Sequence, residues 1–262
     1  SKKSGRPVKA IMERSNVFQA SGPAPGGTIT VKMGTDKDAN IIAAETSIKL
    51  EAGGFPGAAV GAAVQCIFAP YDIPNTRIDG YDIVVNKPKS AAYRAPGSPQ
   101  AAFAAETVSD ELARIHNMDP IDFRLQNASK EDTRRADGVV FPKIGNVEVL
   151  EAAKASEHWK SDLGTPPKGR VRGRGVASGY WFNVGLKSAV SLTVNNDGSV
   201  ALVEGSTDIG GTRTSISMQA AEVLGIGVEN FIPTVGDTDT AGYADVTGGS
   251  RTTYATGFAA VK

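Results

Sequence analysis

The sequence predicts an α+β fold in two lobes, and three observations support this. Short apolar runs recur along the chain, and the 30 glycines cluster at their edges, as in strands joined by tight turns. One longer segment repeats its apolar residues at helical spacing. A polar, irregular stretch from about residue 128 to 168 divides the chain like a bridge between lobes. A chain of 262 residues has room for a sizeable core.

The first predicted lobe covers residues 1–168 and begins with strands. Runs of strand character are found at Val8–Glu13, Thr28–Gly34, Ile41–Leu50 and Tyr81–Val85. A stretch of small residues lies between the third run and the fourth. These runs, followed by a helix, give the lobe its α+β character.

That helix is predicted from Pro99 to about His116. Ser98 stands where an N-cap residue is expected, and proline is suited to the first helical turn. One apolar stripe repeats at helical spacing and comprises Ala101, Ala105, Val108, Leu112 and Ile115. We therefore expect one face of this helix to pack on the core.

The second predicted lobe covers residues 169–262 and also opens with strands. The runs Gly175–Phe182 and Ser188–Val194 have strand character. The turn Asn195–Gly198 joins the second of them to Ser199–Glu204, which predicts a β-hairpin. Two helices are then expected, each entered through a pair of glycines.

Composition excludes several classes of function. The 28 lysines and arginines balance 28 aspartates and glutamates, which disfavours a partner as strongly charged as nucleic acid or an anionic membrane. Cys66 is the only cysteine and lies in an apolar run, so a buried, inert thiol is expected. His116 and His158 lack neighbours suited to a triad and are interpreted as structural. Any metal must therefore be held by something other than the chain's own side chains.

No signal peptide or membrane span is predicted. The N-terminal residues lead into no apolar run of signal-peptide type, and no apolar run approaches the length that crosses a bilayer. With a single cysteine and no disulfide framework, a cytoplasmic location is expected.

Three glycine-bearing turns lead into predicted helices, at Ala92–Gln100, Thr207–Thr214 and Val246–Thr253. Helix N-termini expose unpaired amides and attract anions. Chain geometry or capping explains any one turn by itself, but the three together favour ligand binding. None has the spacing of a phosphate-binding loop or a dinucleotide fingerprint, which disfavours ordinary ATPases and nicotinamide enzymes.

Two further features are weaker candidates for a site. Asp237 and Asp239 are interpreted as solvated or bonded to nearby amides, not as metal ligands. Tyr180, Trp181 and Phe182 form an aromatic cluster that suits core packing, with the wall of a pocket for a planar substrate as the alternative.

Several motifs follow one another along the chain in a specific order. They are Tyr93–Phe103, Asp110–Ala113, Asp119–Arg124, Asp197–Val200, Gly205–Gly210, Gln219–Ile226, Gly236–Asp239 and Gly249–Arg251. In this order they resemble the molybdopterin-binding subunit of the xanthine dehydrogenase and aldehyde oxidase family, over nearly the whole chain. In that family the pterin dithiolene holds the molybdenum, which accounts for the scarcity of cysteine and histidine.

The resemblance implies roles for individual residues. Arg94 resembles the arginine beside the metal, and Gly249 resembles the residue whose backbone approaches the molybdenum. Phe182 and Pro96 match positions that line the substrate pocket in that family. The remaining implied cofactor residues belong to two turns and are Gly210, Gly211, Thr247, Gly248, Ser250 and Thr252.

The chain departs from the family pattern at three positions. Gly210-Gly211-Thr212 stands where the family usually has Gly-Gln-Gly, which removes an amide side chain and puts contacts at Gly211 in doubt. Pro96 replaces an aromatic residue of purine oxidisers, and Ala95 replaces the copper-binding cysteine of carbon-monoxide oxidisers. Classical xanthine chemistry and carbon monoxide oxidation are therefore disfavoured.

The activity that the resemblance implies belongs to a complete parent. That parent would hydroxylate an aldehyde or N-heteroaromatic carbon with water-derived oxygen, and electrons would leave through iron–sulfur and FAD partner subunits or domains. No catalytic base is identified, since Glu106 and Glu222 are expected to face packing or solvent. The family's catalytic glutamate is expected after Lys262 and its glycine-rich cofactor segment before Ser1. The pterin's nucleotide form, with or without a cytosine dinucleotide, is left open.

Two alternatives stay open. The chain is then either a cofactor-cradle fragment that folds but has no activity, or a nucleotide- or phosphate-binding protein that uses the same turns without molybdenum. Molybdenum content distinguishes the second alternative and turnover the first.

Overall fold

The computed structural model describes all 262 residues, and their contacts group them into two units, which we describe separately. Unit 1 is Ser1–Trp181 and unit 2 is Phe182–Lys262. The lobe boundary between residues 168 and 169 was placed on composition alone and stays a prediction. No helix in either unit combines the length and apolar character needed to cross a bilayer.

Unit 1 contains six helices and three strands. In chain order they are α1 (Arg14–Ala20), β1 (Gly27–Thr35), β2 (Ile41–Gly53), α2 (Val60–Cys66), β3 (Thr76–Val84), α3 (Ser98–Ile115), α4 (Pro120–Gln126), α5 (Asn146–Ala155) and α6 (Glu157–Lys160).

The three strands form one sheet in the order β1-β2-β3. β1 and β2 are antiparallel, and the Asp36 carboxylate closes the turn between them by accepting the Asn40 amide at 2.9 Å. β2 and β3 are parallel, and α2 lies in the crossover that such a pair requires. Alternate residues of β2, including Ile48 and Leu50, are buried, as expected for a strand with one face on the core.

Helix α3 is the main helix of unit 1 and follows the predicted helix closely. Ala101 and Ala105 are buried in the core with Ile48, whereas Ile115, the last residue of the predicted stripe, is 75 % exposed. Gly97 occupies the N-cap position in place of Ser98, because its φ of +84° suits a tight entry that a residue with a side chain resists. Ser98 is instead the first helical residue, and its hydroxyl donates to the Tyr180 carbonyl at 2.8 Å.

Three secondary-structure expectations for residues 1–182 were wrong. Val8–Glu13 and Gly175–Phe182 were predicted as strands, but neither run pairs with a neighbouring strand, and strand structure needs that partner. The stretch from 128 to 168 was expected to be irregular, yet it contains α5 and α6. Leu150 anchors α5 in a small cluster with Ile121.

Unit 2 contains a second three-stranded sheet and two α-helices. Its elements are β4 (Val190–Val194), β5 (Val200–Glu204), α7 (Thr212–Leu224), a 3₁₀ turn (Val228–Asn230), β6 (Phe231–Val235), a π turn (Thr252–Thr256) and α8 (Gly257–Val261). The predicted hairpin is confirmed, since β4 and β5 pair antiparallel across the turn at Asn195–Gly198. β6 was not predicted; it lies parallel to β5, after α7 has crossed over.

The core of unit 2 is formed where α7 and α8 pack on this sheet. Val200 and Leu202 of β5 are fully buried against Ile216 and Ala220 of α7. Both predicted glycine-entered helices are present, although the second begins as a five-residue π turn, a form often found at functional sites. The two turns that lead into these helices therefore stand on a packed core.

Candidate functional site

The turn that enters α3 in unit 1 is held in a strained backbone conformation. Arg94 and Ala95 have φ values of +29° and +52°, in a region that non-glycine residues rarely occupy. Gly97 cannot carry a side chain, because a Cβ would lie 2.5 Å from the Ala59 carbonyl oxygen. The turn is thus pressed against the residues that lead into α2.

Arg94, which the sequence analysis singled out, is exposed at this turn. Its guanidinium takes part in no hydrogen bond or ion pair, and Tyr93 beside it is 71 % exposed. Pro96 is half-buried. The turn therefore presents an unpaired positive charge, which is suited to an anionic or strongly polar ligand.

The turn that enters α7 in unit 2 is organised by Asp208, which sequence reasoning missed. Its carboxylate accepts the amides of Gly210 and Thr212 at 2.9 and 3.1 Å, and the Arg213 Nε at 2.7 Å. The Arg213 guanidinium, with these amides and the Thr212 hydroxyl, holds the pKa of Asp208 well below its usual range. An aspartate shortly before a helix is a capping signal that could have identified it.

Gly210 and Gly211 shape the same turn. Their φ values are +116° and +86°, and a Cβ built on either would meet no atom within 4 Å. The backbone here opens onto free space. Asp208 already occupies part of the α7 N-terminus, and the amides of Gly211, Arg213 and Thr214 are left without an acceptor in unit 2.

The turn from Thr247 to Thr252 offers more free donors. The amides of Gly248, Gly249 and Ser250 have no hydrogen-bond acceptor in unit 2. Gly249 and Ser250 both have positive φ values, +69° and +57°. On the opposite side, the carbonyls of Gly249 and Ser250 accept the Val184 amide at 3.1 Å and the Asn183 side chain at 2.7 Å. The turn is therefore held by hydrogen bonds to its carbonyls, and its amides remain without acceptors.

Arg251 fixes this turn from inside unit 2, and the sequence analysis had given it no separate role. Its side chain is 1 % exposed, yet it pairs with no carboxylate. It donates to the carbonyls of Gly185, Asp245 and Lys187 at 2.9, 2.9 and 2.6 Å. Backbone carbonyls thus satisfy a buried guanidinium and join the turn to segment 185–188.

Two of the three predicted turns lie side by side. The Thr207 amide donates to the Thr247 hydroxyl at 3.2 Å, which joins the turn before α7 to the turn before the π helix. Unit 2 therefore brings together Gly210, Gly211 and the residues from Thr247 to Thr252. Arg94 and Pro96 belong to unit 1, and Phe182, which is half-buried, begins unit 2.

The aromatic cluster of the sequence is divided between different environments. The Tyr180 ring stacks edge-on against Phe141 with centroids 5.6 Å apart, and the Arg135 guanidinium lies 5.3 Å from its centroid. Tyr180 is thus a packing residue of unit 1, and the ligand-facing role of Phe182 stays a prediction.

Other polar groups do not supply an acid or base for chemistry. Glu106 is buried and fully engaged with the Tyr71 hydroxyl, the Arg124 guanidinium and the Ser178 amide at 2.5, 2.8 and 2.6 Å. Glu222 is exposed on α7. Burial raises the pKa of the Cys66 thiol, which disfavours a nucleophilic thiolate.

The free donors of the turns in each unit suit an anionic ligand. They are backbone amides, hydroxyls and one free guanidinium, all of which bind anionic oxygen. No group of three or more histidine, cysteine, aspartate or glutamate side chains is arranged to hold a metal ion. The glycines leave room for such a ligand to lie directly on the backbone.

Comparison with known proteins gives consistent matches over both units. Residues 1–128 and 148–262 each match a family profile described as a molybdopterin cofactor-binding domain. The aldehyde oxidoreductase molybdenum-binding subunit of Escherichia coli O157:H7 is 30% identical over 243 residues, 88% of this chain and 32% of the relative. The xanthine dehydrogenase molybdenum-binding subunit of the same organism is 29% identical over 271 residues, 97% of this chain and 36% of the relative.

Solved structures agree with these matches. The aldehyde oxidoreductase of Desulfovibrio desulfuricans matches with a TM-score of 0.74 at 27% identity. The match covers 92% of this chain and 28% of the oxidoreductase chain. Quinoline 2-oxidoreductase of Pseudomonas putida has a TM-score of 0.80 at 20% identity over 99% of this chain and 37% of its own, which supports the fold alone. The chain spans about a third of the length of the curated relatives it matches.

Proposed function

Because the chain belongs to the molybdopterin cofactor-binding family that includes the molybdenum-binding subunits of aldehyde oxidoreductase and xanthine dehydrogenase, we propose that it forms part of the cofactor cradle of a molybdenum hydroxylase. The complete parent would hydroxylate an aldehyde or N-heteroaromatic carbon. We propose a cytoplasmic location, with electrons passing to iron–sulfur and FAD partner subunits or domains. The single buried cysteine agrees with that location.

The observation that carries this proposal is the set of free amides at Gly248, Gly249 and Ser250, beside the open turn at Gly210 and Gly211. Backbone donors that are already fixed need no reordering when an anionic group binds, and this favours affinity. We assign Thr247, Ser250 and Thr252 to the same contact surface. The role of these residues is to bind and orient the cofactor.

When bound, the molybdenum–pterin group supplies the redox chemistry by which water-derived oxygen reaches the substrate carbon. In this proposal Arg94 brings a fixed positive charge toward the cofactor, and its strained backbone limits the directions in which the guanidinium extends. Pro96 and Phe182 contribute to the substrate side. No proton-transfer role is proposed for these residues.

The test is the molybdenum and pterin content of the full-length parent and of the 262-residue chain, both produced in a host that makes the cofactor. Near-stoichiometric molybdenum in the parent supports the proposal. The same preparation of an Arg94→Met variant should keep its cofactor and lose at least tenfold in kcat, if the guanidinium acts on the reaction more than on binding. Molybdenum-free parent protein that binds a nucleotide would overturn the proposal in favour of the phosphate-binding alternative.

A further inference from the structure

A chain of buried polar side chains runs through unit 2 beneath the two cofactor turns. Arg251 donates to the Ser188 hydroxyl. Ser188 is 2.8 Å from the Thr256 hydroxyl, and Thr256 is 2.9 Å from the Ser206 hydroxyl. The Ser206 amide donates to Glu204 at 3.3 Å. Ser206 immediately precedes the turn before α7, and Thr256 ends the π turn that follows the Thr247–Thr252 turn.

The groups at the two ends of this hydrogen-bonded series set the direction in which its hydroxyls donate. A guanidinium only donates, so the Ser188 hydroxyl accepts from Arg251 and its own proton is free to go to Thr256. The Thr256 proton then goes to Ser206, whose backbone amide donates to the Glu204 carboxyl group. In this order the Ser188 and Thr256 hydroxyls each donate once, between a buried cation and a buried acid.

Thr256 is the middle member, and its position explains its importance. It is 0 % exposed, so water cannot replace a lost partner. Its hydroxyl is the link between Ser188, which neighbours the segment under the Thr247–Thr252 turn, and Ser206, which leads into the Thr207–Gly211 turn. Without that hydroxyl, the two turns keep the direct Thr207–Thr247 bond at the surface, and the Gln219 side chain still joins α7 to the π turn through the Thr253 carbonyl.

We propose that Thr256 is a positioning residue for the cofactor, whose hydroxyl keeps the Thr247–Thr252 turn in register with the Thr207–Gly211 turn through the buried chain from Arg251 to Glu204. This inference rests on the proposed function. Thr256 does not touch the cofactor; it sets the spacing between two backbone surfaces that do. Groups that orient direct ligands in this way commonly affect metal-site affinity by tenfold or more.

The experiment uses the full-length parent with its partner subunits, produced in a host that makes the cofactor. Thr256→Val keeps the shape and removes the hydroxyl, whereas Thr256→Ser keeps the hydroxyl. Ser206→Ala breaks the same chain one step away, and it serves as the second test should Thr256→Val fail to fold. Ser217→Ala is the matched control, since Ser217 is 2 % exposed and its hydroxyl has no partner.

Two readouts separate positioning from general destabilisation. Molybdenum and pterin per chain should fall about tenfold in Thr256→Val and Ser206→Ala and stay normal in Thr256→Ser and Ser217→Ala. In cofactor-free protein, amide hydrogen exchange should speed up in peptides 205–211 and 247–252 together in the first two variants only.

Normal molybdenum content and normal exchange in Thr256→Val would overturn the role of Thr256. An equal loss of cofactor in Ser217→Ala would do the same, because it would show that any buried change suffices. Absence of molybdenum from the unsubstituted parent would overturn the proposed function itself, whereas equal molybdenum content in the parent and Thr256→Val would overturn only this inference.

Discussion

Glu204 is, at the scale of a single residue, an ionisable side chain that unit 2 buries in its core. It ends β5 in the core with no exposed surface, and its Oε1 has no hydrogen-bond partner. Burial raises the pKa of this carboxyl group, and the Ser206 amide and the Arg251 charge only partly oppose that effect. A buried carboxyl group with one unsatisfied oxygen is easier to accommodate when protonated.

The raised pKa of Glu204 predicts a specific pH dependence of stability. A raised folded-state pKa contributes stability below the unfolded value of 4.5, and that contribution is lost as the pH rises through the folded value. In Glu204→Gln the group cannot titrate, so the melting temperature of the variant relative to the unsubstituted chain should rise as the pH increases above 4.5. Thermal unfolding of the 262-residue chain at a series of pH values measures this.

Asp208, a charged neighbour of Glu204, does not interfere with that measurement. The pKa of Asp208 lies well below its usual range, so Asp208 stays ionised from pH 5 upward. Parallel pH profiles of Glu204→Gln and the unsubstituted chain would contradict the assignment.

Gly249 provides a second test at residue scale. Its φ of +69° disfavours a side chain, and a Cβ would lie 2.4 Å from the Val184 Cγ2 atom. Gly249→Ala should therefore cost about 2 kcal/mol of unfolding free energy. Val184→Ala removes the methyl groups that clash, so the double variant should recover about 1 kcal/mol. Denaturant unfolding of the four chains gives the coupling, and simple additivity would rule out the contact as the cause.

At the scale of elements, the two long helices enter from glycines of the same conformation in different surroundings. Gly97 before α3 and Gly211 before α7 have φ values of +84° and +86°. A Cβ at Gly97 would meet the Ala59 carbonyl oxygen at 2.5 Å, whereas a Cβ at Gly211 would meet nothing within 4 Å. Alanine substitutions at these two glycines therefore separate the free-energy cost of backbone strain from that of steric contact.

We expect Gly211→Ala to cost about 1 kcal/mol, the strain of the left-handed conformation alone. Gly97→Ala should cost about 2 kcal/mol more, because a backbone carbonyl cannot move aside as a side chain can. Unfolding of the two variants in denaturant measures the difference. Equal costs would show that α2 and α3 separate freely at this point.

Elements with strong local signals were predicted well from sequence, and those that depend on distant partners were not. The β4–β5 hairpin follows from the turn at Asn195–Gly198, and α3 from its apolar spacing. Val8–Glu13 has the apolar character of a strand, but it pairs with no other strand. β6 was missed because its place is set by β5, which lies far from it in sequence.

The same division holds at the site. Glycine-bearing turns are visible in sequence, so the turns at Gly210-Gly211 and Gly248-Gly249 were found, although their ligand contacts stay predictions. The supports of those turns were not found, because Arg251 reaches carbonyls more than sixty residues away in sequence, such as that of Gly185. Hydrogen bonds to backbone carbonyls place no constraint on residue type at the accepting position, and so leave no pattern to read.

At the scale of the whole molecule, many large apolar side chains are exposed. Examples are Ile11 at 78 %, Phe18 at 77 %, Phe103 at 79 % and Val171 at 95 %. Soluble monomers seldom expose large contiguous apolar areas, and such areas commonly mark contacts with other polypeptide. The chain also spans only about a third of its curated relatives.

We therefore expect the isolated 262-residue chain to bind a hydrophobic dye such as anilinonaphthalene sulfonate several-fold more strongly than the full-length parent does, at equal molar concentration. Sedimentation should show association of the isolated chain that increases with concentration. Phe103→Ser, which removes one exposed apolar group, should lower dye binding without changing α3. Equal dye binding by chain and parent would contradict this prediction.

The Gly248–Ser250 turn also bears on how such a site is inherited. Its donors belong to the main chain, so a substitution keeps them unless it introduces proline, whereas a side chain at Gly249 strains the turn against Val184. The turn is therefore constrained mainly in the bulk of its side chains, and much less in their chemical character.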